Sequence, residues 1–186
     1  MKRIYFITGL PLSGKSKLAS VACKLLSDVK VISTGNVARS LIGNDTKMRE
    51  EMAKLDLFPD EQRLRNEITN LVENSKEFNI IVDGMPRFGD QVRYLADKFW
   101  HYFPKILMTE VGDLITLYKR AKARARDEYD KNDKLFIERL YKASANIADV
   151  PLVAKECMIP VYNVFTTGDD VAMGRRLWAI INDVQW

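Results

Sequence analysis

The chain has 186 residues, 47% apolar and 29% charged, with a formal net charge of +4. That length fits one domain with a real core, and the mildly basic balance suits an anionic ligand such as a nucleotide without demanding nucleic acid. Two cysteines far apart in the chain, Cys23 and Cys157, and a single histidine, His101, argue against a disulfide framework, a zinc site and a histidine metal cluster.

No apolar run approaches a membrane span. The first apolar run is short and ends in a glycine loop, so it reads as a strand and not as a signal peptide. A soluble protein of a reducing, cytoplasmic compartment is expected. Apolar, β-branched runs at residues 3–8, 30–33, 79–83, 105–109 and 160–164 predict strands. Amphipathic helical stretches lie between them. This alternation marks βαβ units and a parallel sheet. In such sheets ligands gather beyond the carboxyl ends of the strands, so the residues after each strand are the candidates.

After the first strand comes Gly9-Leu10-Pro11-Leu12-Ser13-Gly14-Lys15-Ser16. It reads G-x-x-x-x-G-K-S, a phosphate-binding loop. Leu18, Val21, Ala22 and Leu25 then recur at helical spacing, and Cys23 beside them is expected in the core. Gly9 and Gly14 permit a tight turn and a close approach to phosphate. Backbone N–H groups and the dipole at the helix start favour an anion. Lys15 is placed to bridge outer phosphates, and Ser16 to put a hydroxyl on Mg²⁺.

The second strand runs into Ser33-Thr34-Gly35-Asn36-Val37-Ala38-Arg39. Ser33 or Thr34 can cap the following helix. Arg39 reads either as a phosphate fork or as a solvated helix arginine. Residues 45–74 are helical and polar, with a break at Leu57-Phe58-Pro59-Asp60. Leu64, Ile68, Leu71 and Val72 give the second half a buried stripe. Two helices inserted here predict a small lobe over the sheet edge.

The third strand closes on Asp83-Gly84-Met85-Pro86-Arg87, with Gln91 one turn later. Asp83 suits a carboxylate beside Mg²⁺; the alternative is a cap for the next helix. Beyond the fourth strand a helix carries Lys119, Arg120, Lys122, Arg124 and Arg126. Acidic Asp127-Glu128-Tyr129-Asp130 and a helix with Arg139 follow. Three readings compete: a solvated charged face, a nucleic-acid patch without interleaved aromatics, and a mobile lid whose arginines close on a transferring phosphate. The phosphate loop favours the lid. After the last strand, Thr166-Thr167-Gly168 forms a turn within reach of a bound base, and Asp169 opens the final helix.

Together these segments resemble the nucleoside monophosphate kinases, specifically the adenylate kinases, over most of the chain. Ser33-Thr34-Gly35 with Arg39 is similar to their S-T-G-[DN]-x-x-R. Asp83 to Arg87 with Gln91 is similar to D-G-[FY]-P-R-x-x-x-Q. Arg126-Asp127 and Arg139-Leu140 resemble the lid elements R-x-D-D and R-L. The resemblance implies a P-loop three-layer α/β/α fold on a five-stranded parallel sheet. Its core would be 1–33, 75–118 and 140–186, with a helical monophosphate-binding lobe at about 34–74 and a short lid at about 119–139.

The activity it implies is transfer of the γ-phosphoryl group of Mg·ATP to a nucleoside monophosphate. AMP or dAMP is expected, because Gln91 stands where adenylate kinases pair with adenine. Gly9, Leu10, Pro11, Leu12, Ser13, Gly14, Lys15, Ser16, Lys17 and Arg120 would bind ATP. Thr34, Gly35, Arg39, Leu57, Gly84, Arg87 and Gln91 would bind the acceptor, with Arg39 and Arg87 on its phosphate. Lys15, Arg87, Arg120, Arg126 and Arg139 would carry the transfer, and Ser16 and Asp83 would hold Mg²⁺. Three positions depart from the family pattern: Leu12 and Leu55 each replace a glycine, and Ser16-Lys17 stands where [GS]-T is usual. A monomer without membrane or nucleic-acid partners is expected. The alternatives are a deoxynucleotide or pyrimidine monophosphate kinase, a small-metabolite kinase, and a nucleotide-binding protein without turnover.

Overall fold

Each apolar run becomes a strand: β1 (Arg3–Gly9), β2 (Val29–Ser33), β3 (Asn79–Asp83), β4 (Lys105–Glu110) and β5 (Val161–Phe165). The computed structural model describes residues 2–55, 57–125 and 128–183, with the side chains of 53–55 outside that description. The strands form one sheet in the order β2-β3-β1-β4-β5, every pair parallel. Ten α-helices are described: α1 (Lys15–Leu25), α2 (Thr34–Ile42), α3 (Thr46–Leu55), α4 (Glu61–Glu73), α5 (Gly89–Phe99), α6 (Leu114–Arg124), α7 (Glu128–Lys131), α8 (Asp133–Ile147), α9 (Val150–Glu156) and α10 (Asp170–Ile181).

The central strand shows why its sequence is apolar without alternation. Side chains along a strand point to opposite faces. Ile4 and Phe6 of β1 enter the core built with α2, α4, α5 and α9, whereas Tyr5 and Ile7 enter the core built with α1 and α10. Both faces are covered, so every position must be apolar. Each fully buried aliphatic or aromatic side chain contributes about 1.5–3 kcal/mol. A third, smaller cluster packs Leu117, Ala121 and Phe136 of α6 and α8 against Leu10 and Leu12 of the glycine loop.

The register sets Ile7 opposite Asp83, Asp83 opposite Ser33, and Gly9 opposite Thr109. The carboxyl ends are therefore level. The chain moves to one side of β1 for β2 and β3 and to the other for β4 and β5. The loop after β1 lies at that reversal, the usual ligand position of such sheets.

Local signals hold at most boundaries. Asp60 caps α4, accepting from the Arg63 N–H at 3.1 Å, and Asp169 caps α10, accepting from the Ala172 N–H at 2.6 Å. Of the two candidates for α2, Ser33 is the cap. Strand β5 starts one residue later than expected. Pro160 has no N–H for the ladder, though its carbonyl accepts from the Ile106 N–H at 2.9 Å. The expectation for Cys23 is corrected: it is exposed. The buried stripe of α1 is Leu18, Ala19, Val21 and Ala22, and Cys23 turns about 100° past Ala22, off that stripe. Among the described residues no helix is long and apolar enough to cross a membrane.

Candidate active site

The glycine loop is held by hydroxyls from neighbouring strand ends. Gly9 has φ 139°, and a Cβ there would lie 2.1 Å from the Thr109 Oγ1. Gly14 has φ 92° and would place a Cβ 2.8 Å from Thr166. Conformation and space both require glycine at these two positions. Thr109 donates to the Thr8 carbonyl at 2.9 Å, so Ser13 Oγ, 2.5 Å from Thr109 Oγ1, is the donor of that pair. Thr166 donates its hydroxyl proton to the Ser13 carbonyl. Arg120 donates to the Leu12 carbonyl at 2.9 Å and to the Thr166 carbonyl at 3.2 Å, tying the loop to the turn after β5.

Lys15 curls back over the loop, its Nζ donating to the carbonyls of Gly9 at 3.0 Å and Leu10 at 2.7 Å. The ammonium thus sits inside the turn whose backbone N–H groups form an anion cradle. Lys17 differs. Its ammonium pairs with Asp170 at 3.0 Å, so it offers the loop only its N–H in the first turn of α1.

Asp83 ends β3 beside this loop and is 9% exposed. Ser16 Oγ donates to its Oδ2 at 2.8 Å. Thr34 Oγ1 donates to its carbonyl at 3.1 Å. The capping alternative for Asp83 falls, because the N-cap of α5 is Phe88, without a side-chain cap. A carboxylate and a hydroxyl at the anion cradle are the hard oxygen donors that suit Mg²⁺, with water and phosphate oxygens completing its shell.

Across Asp83 opens a cleft of about 580 Å³. All seven residues expected at the acceptor line it: Thr34, Gly35, Arg39, Leu57, Gly84, Arg87 and Gln91. The close approach of Thr34 explains one of them. Gly84 has φ 106°, and a Cβ would lie 2.4 Å from Thr34 Oγ1. Arg49, Arg124 and Arg139 also line the cleft. Five arginines around one cavity focus a positive potential suited to a phosphate. Arg87, whose Nε donates to the Gly84 carbonyl at 3.1 Å, additionally lines a small pocket with Gly9.

Two acidic groups that hold side chains of the cleft escape sequence reading. Asp130 is fully buried and accepts a two-pronged contact from Arg124, Nε to Oδ2 and Nη2 to Oδ1, both 2.7 Å. Arg139 Nη1 stands 3.9 Å from the same carboxylate. In the sequence Asp130 is one of an acidic run open to three readings; it meets Arg124 because α7 folds back on α6. The second group is Glu61, which accepts from Gln91 Nε2 and from Arg65 Nε, each at 2.7 Å. Arg120 lies on the glycine loop and outside this cleft's lining. Arg126 and the Leu55 side chain lie outside the described residues.

Comparisons with known proteins agree with this geometry. Residues 8–137 match the family model described as an AAA domain. The chain is 32% identical to the adenylate kinase of Nitratiruptor sp. over 149 residues, 75% of each chain. It is 32% identical to the adenylate kinase of Leptospira biflexa over 162 residues, 82% of this chain and 84% of that one. It is 27% identical to the adenylate kinase of Campylobacter hominis over 148 residues, 75% and 76% of the two chains. A phosphate loop at the reversal of a parallel sheet and alignments of this length have one common meaning: the chain belongs to the adenylate kinase-like nucleoside monophosphate kinases, P-loop phosphotransferases.

Proposed function

We propose that the protein transfers the γ-phosphoryl group of Mg·ATP to AMP, with dAMP the next acceptor. The observation that carries this reading is the position of Arg87, which lines both the arginine-rich cleft and the pocket at Gly9. One guanidinium can therefore follow a phosphoryl group from donor to acceptor. Residues 34–74 serve as the monophosphate-binding lobe and 119–139 as the lid.

Phosphoryl transfer needs positioning and charge neutralisation more than covalent chemistry by the protein. The loop from Gly9 to Lys17 gives its N–H groups to the donor phosphates, and Lys15 gives its ammonium. Ser16 and Asp83 hold Mg²⁺, which when bound neutralises charge on the donor phosphates. Arg39 and Arg87 fix the acceptor phosphate. Arg139 and Arg124 meet charge developing on the group in transfer, and closure of the lid keeps water from the reaction. Arg120 acts from behind, holding the loop and the turn at Thr166 in one arrangement.

The test is ADP formation from Mg·ATP with AMP, dAMP, CMP, UMP, GMP and dTMP in parallel. AMP is expected to give the highest kcat/KM, followed by dAMP. A pyrimidine in first place would reassign the pocket. No acceptor-dependent ADP from any of the six would overturn the kinase reading of the cleft.

A further inference from the structure

We infer that Glu61 is a positioning residue that fixes the sense in which Gln91 reads the acceptor base, so that the cleft selects 6-amino over 6-oxo purine monophosphates. The inference rests on the acceptor reading above.

A glutamine amide has a donor end and an acceptor end of nearly the same shape. A free one turns over easily. It can pair with adenine, which offers an acceptor at N1 and a donor at N6. Turned over, it pairs equally with hypoxanthine, which offers a donor at N1 and an acceptor at O6. Gln91 is only 3% exposed, and both of its ends have partners. Its Oε1 accepts from the Arg87 backbone N–H at 2.6 Å, and its Nε2 donates to Glu61 Oε1 at 2.7 Å. A backbone N–H can only donate and a carboxylate can only accept. The sense of the amide is therefore dictated by the chemistry of its neighbours. Turning it over would set donor against donor at Arg87 and acceptor against acceptor at Glu61, leaving buried groups unpaired.

The lock is itself anchored. Glu61 is the first residue of α4, where the helix dipole favours a carboxylate. Its Oε1 also accepts from Arg65 Nε at 2.7 Å. The Arg65 guanidinium in turn lies over the rings of Tyr94 and Phe88, at 5.2 Å and 5.8 Å. Each end of the locked amide keeps capacity for one more bond: a lone pair on Oε1 and a hydrogen on Nε2. Both Gln91 and Glu61 line the cleft. A base entering it meets a fixed acceptor and a fixed donor, the complement of the amino–imine edge of adenine and not of the oxo–amide edge of hypoxanthine.

The experiment measures kcat and KM for AMP and IMP on the wild type, Glu61→Gln and Glu61→Asp. The Glu61→Gln side chain keeps the size but not the charge that holds Arg65 on Oε1, and once that contact loosens it can offer Gln91 either a donor or an acceptor. The AMP:IMP ratio of kcat/KM is expected to fall about tenfold or more in Glu61→Gln. The change should appear in KM, rising for AMP and falling for IMP, with kcat on AMP kept within about threefold. Glu61→Asp keeps an acceptor-only group and should keep the preference. An unchanged ratio in Glu61→Gln with AMP turnover intact overturns the inference alone, as does equal loss of preference in Glu61→Asp. A wild type that turns over no monophosphate overturns the acceptor reading and this inference with it. Should Glu61→Gln not fold, Arg65→Met loosens the same carboxylate and is expected to move the ratio in the same direction; no movement there counts against the lock.

Discussion

Lys15 and Arg87 divide the site between them. Lys15 holds to the glycine loop through the carbonyls of Gly9 and Leu10. Arg87 lines the arginine-rich cleft and the pocket at Gly9. Lys15→Ala should nearly abolish transfer whichever monophosphate is supplied. Arg87→Ala should lower turnover roughly tenfold or more and raise KM for the monophosphate over that for ATP, since a charge-assisted contact to phosphate is lost. Initial rates against each substrate separate the two effects, and unchanged AMP kinetics in Arg87→Ala would remove Arg87 from the acceptor. Leu12 shows a residue whose role the motif conceals. It has φ 64°, a left-handed conformation that costs a non-glycine residue about 1–2 kcal/mol. Its side chain packs with Leu117, Ala121 and Phe136, a contact that glycine cannot make. The glycine loop, Asp83 and Arg87 were legible because each sits within a few residues of a strand end. The partners of Gln91 and Arg124 were not, because Glu61 and Asp130 arrive from other helices.

At the scale of elements, α6 and α8 are joined near the loop by a polar latch as well as by their apolar cluster. Lys122 Nζ pairs with Asp133 Oδ1 at 2.5 Å, and the Tyr118 hydroxyl donates to the same carboxylate at 3.2 Å. The hydrogen bond from Lys122 holds the Asp133 carboxyl below its usual range, and the same bond raises Lys122. The sign follows. A carboxyl with a depressed folded-state value stabilises the structure fully above the ordinary carboxylate range and loses that contribution as pH falls through its depressed value. Asp133→Asn should therefore speed amide exchange of α6 and α8 at neutral pH, after correction for intrinsic rates. Between neutral pH and an acid pH below the ordinary carboxylate range, the gap between variant and wild type should narrow. An equal gap at both pH values would show that the latch is not the ion pair. The charge pattern of this region left three readings open, since alternating Lys, Arg and Asp look the same whether solvated or folded back. The strands were clearer, because burial on both faces leaves an uninterrupted apolar run.

For the whole molecule, the two insertions over the sheet edge are anchored unequally. Ile42, Phe58, Leu64, Ile68 and Val72 carry the 34–74 region into the same core as β1 and α5. Helices α6 and α8 pack on the small cluster around Leu117, Ala121 and Phe136, with Ile147 at the end of α8 packed against the larger core. Segments with fewer buried apolar contacts open at lower free energy. Movement on ligand binding should therefore fall mainly on residues 114–147. That asymmetry predicts an order in the thermodynamics. A ligand that binds only the folded state at one hundred times its Kd stabilises it by about 2.7 kcal/mol. AMP alone and a non-hydrolysable ATP analogue alone should each raise Tm by an amount of that order. Together they should raise it beyond the sum, because a closed 114–147 segment contacts both ligands through arginines that neither ligand engages alone. Amide exchange should slow more in α6 and α8 than in α4 under the double ligand. A strictly additive rise in Tm, with equal slowing in α4 and α8, would mean that the site is preformed and that α6–α8 does not act as a lid.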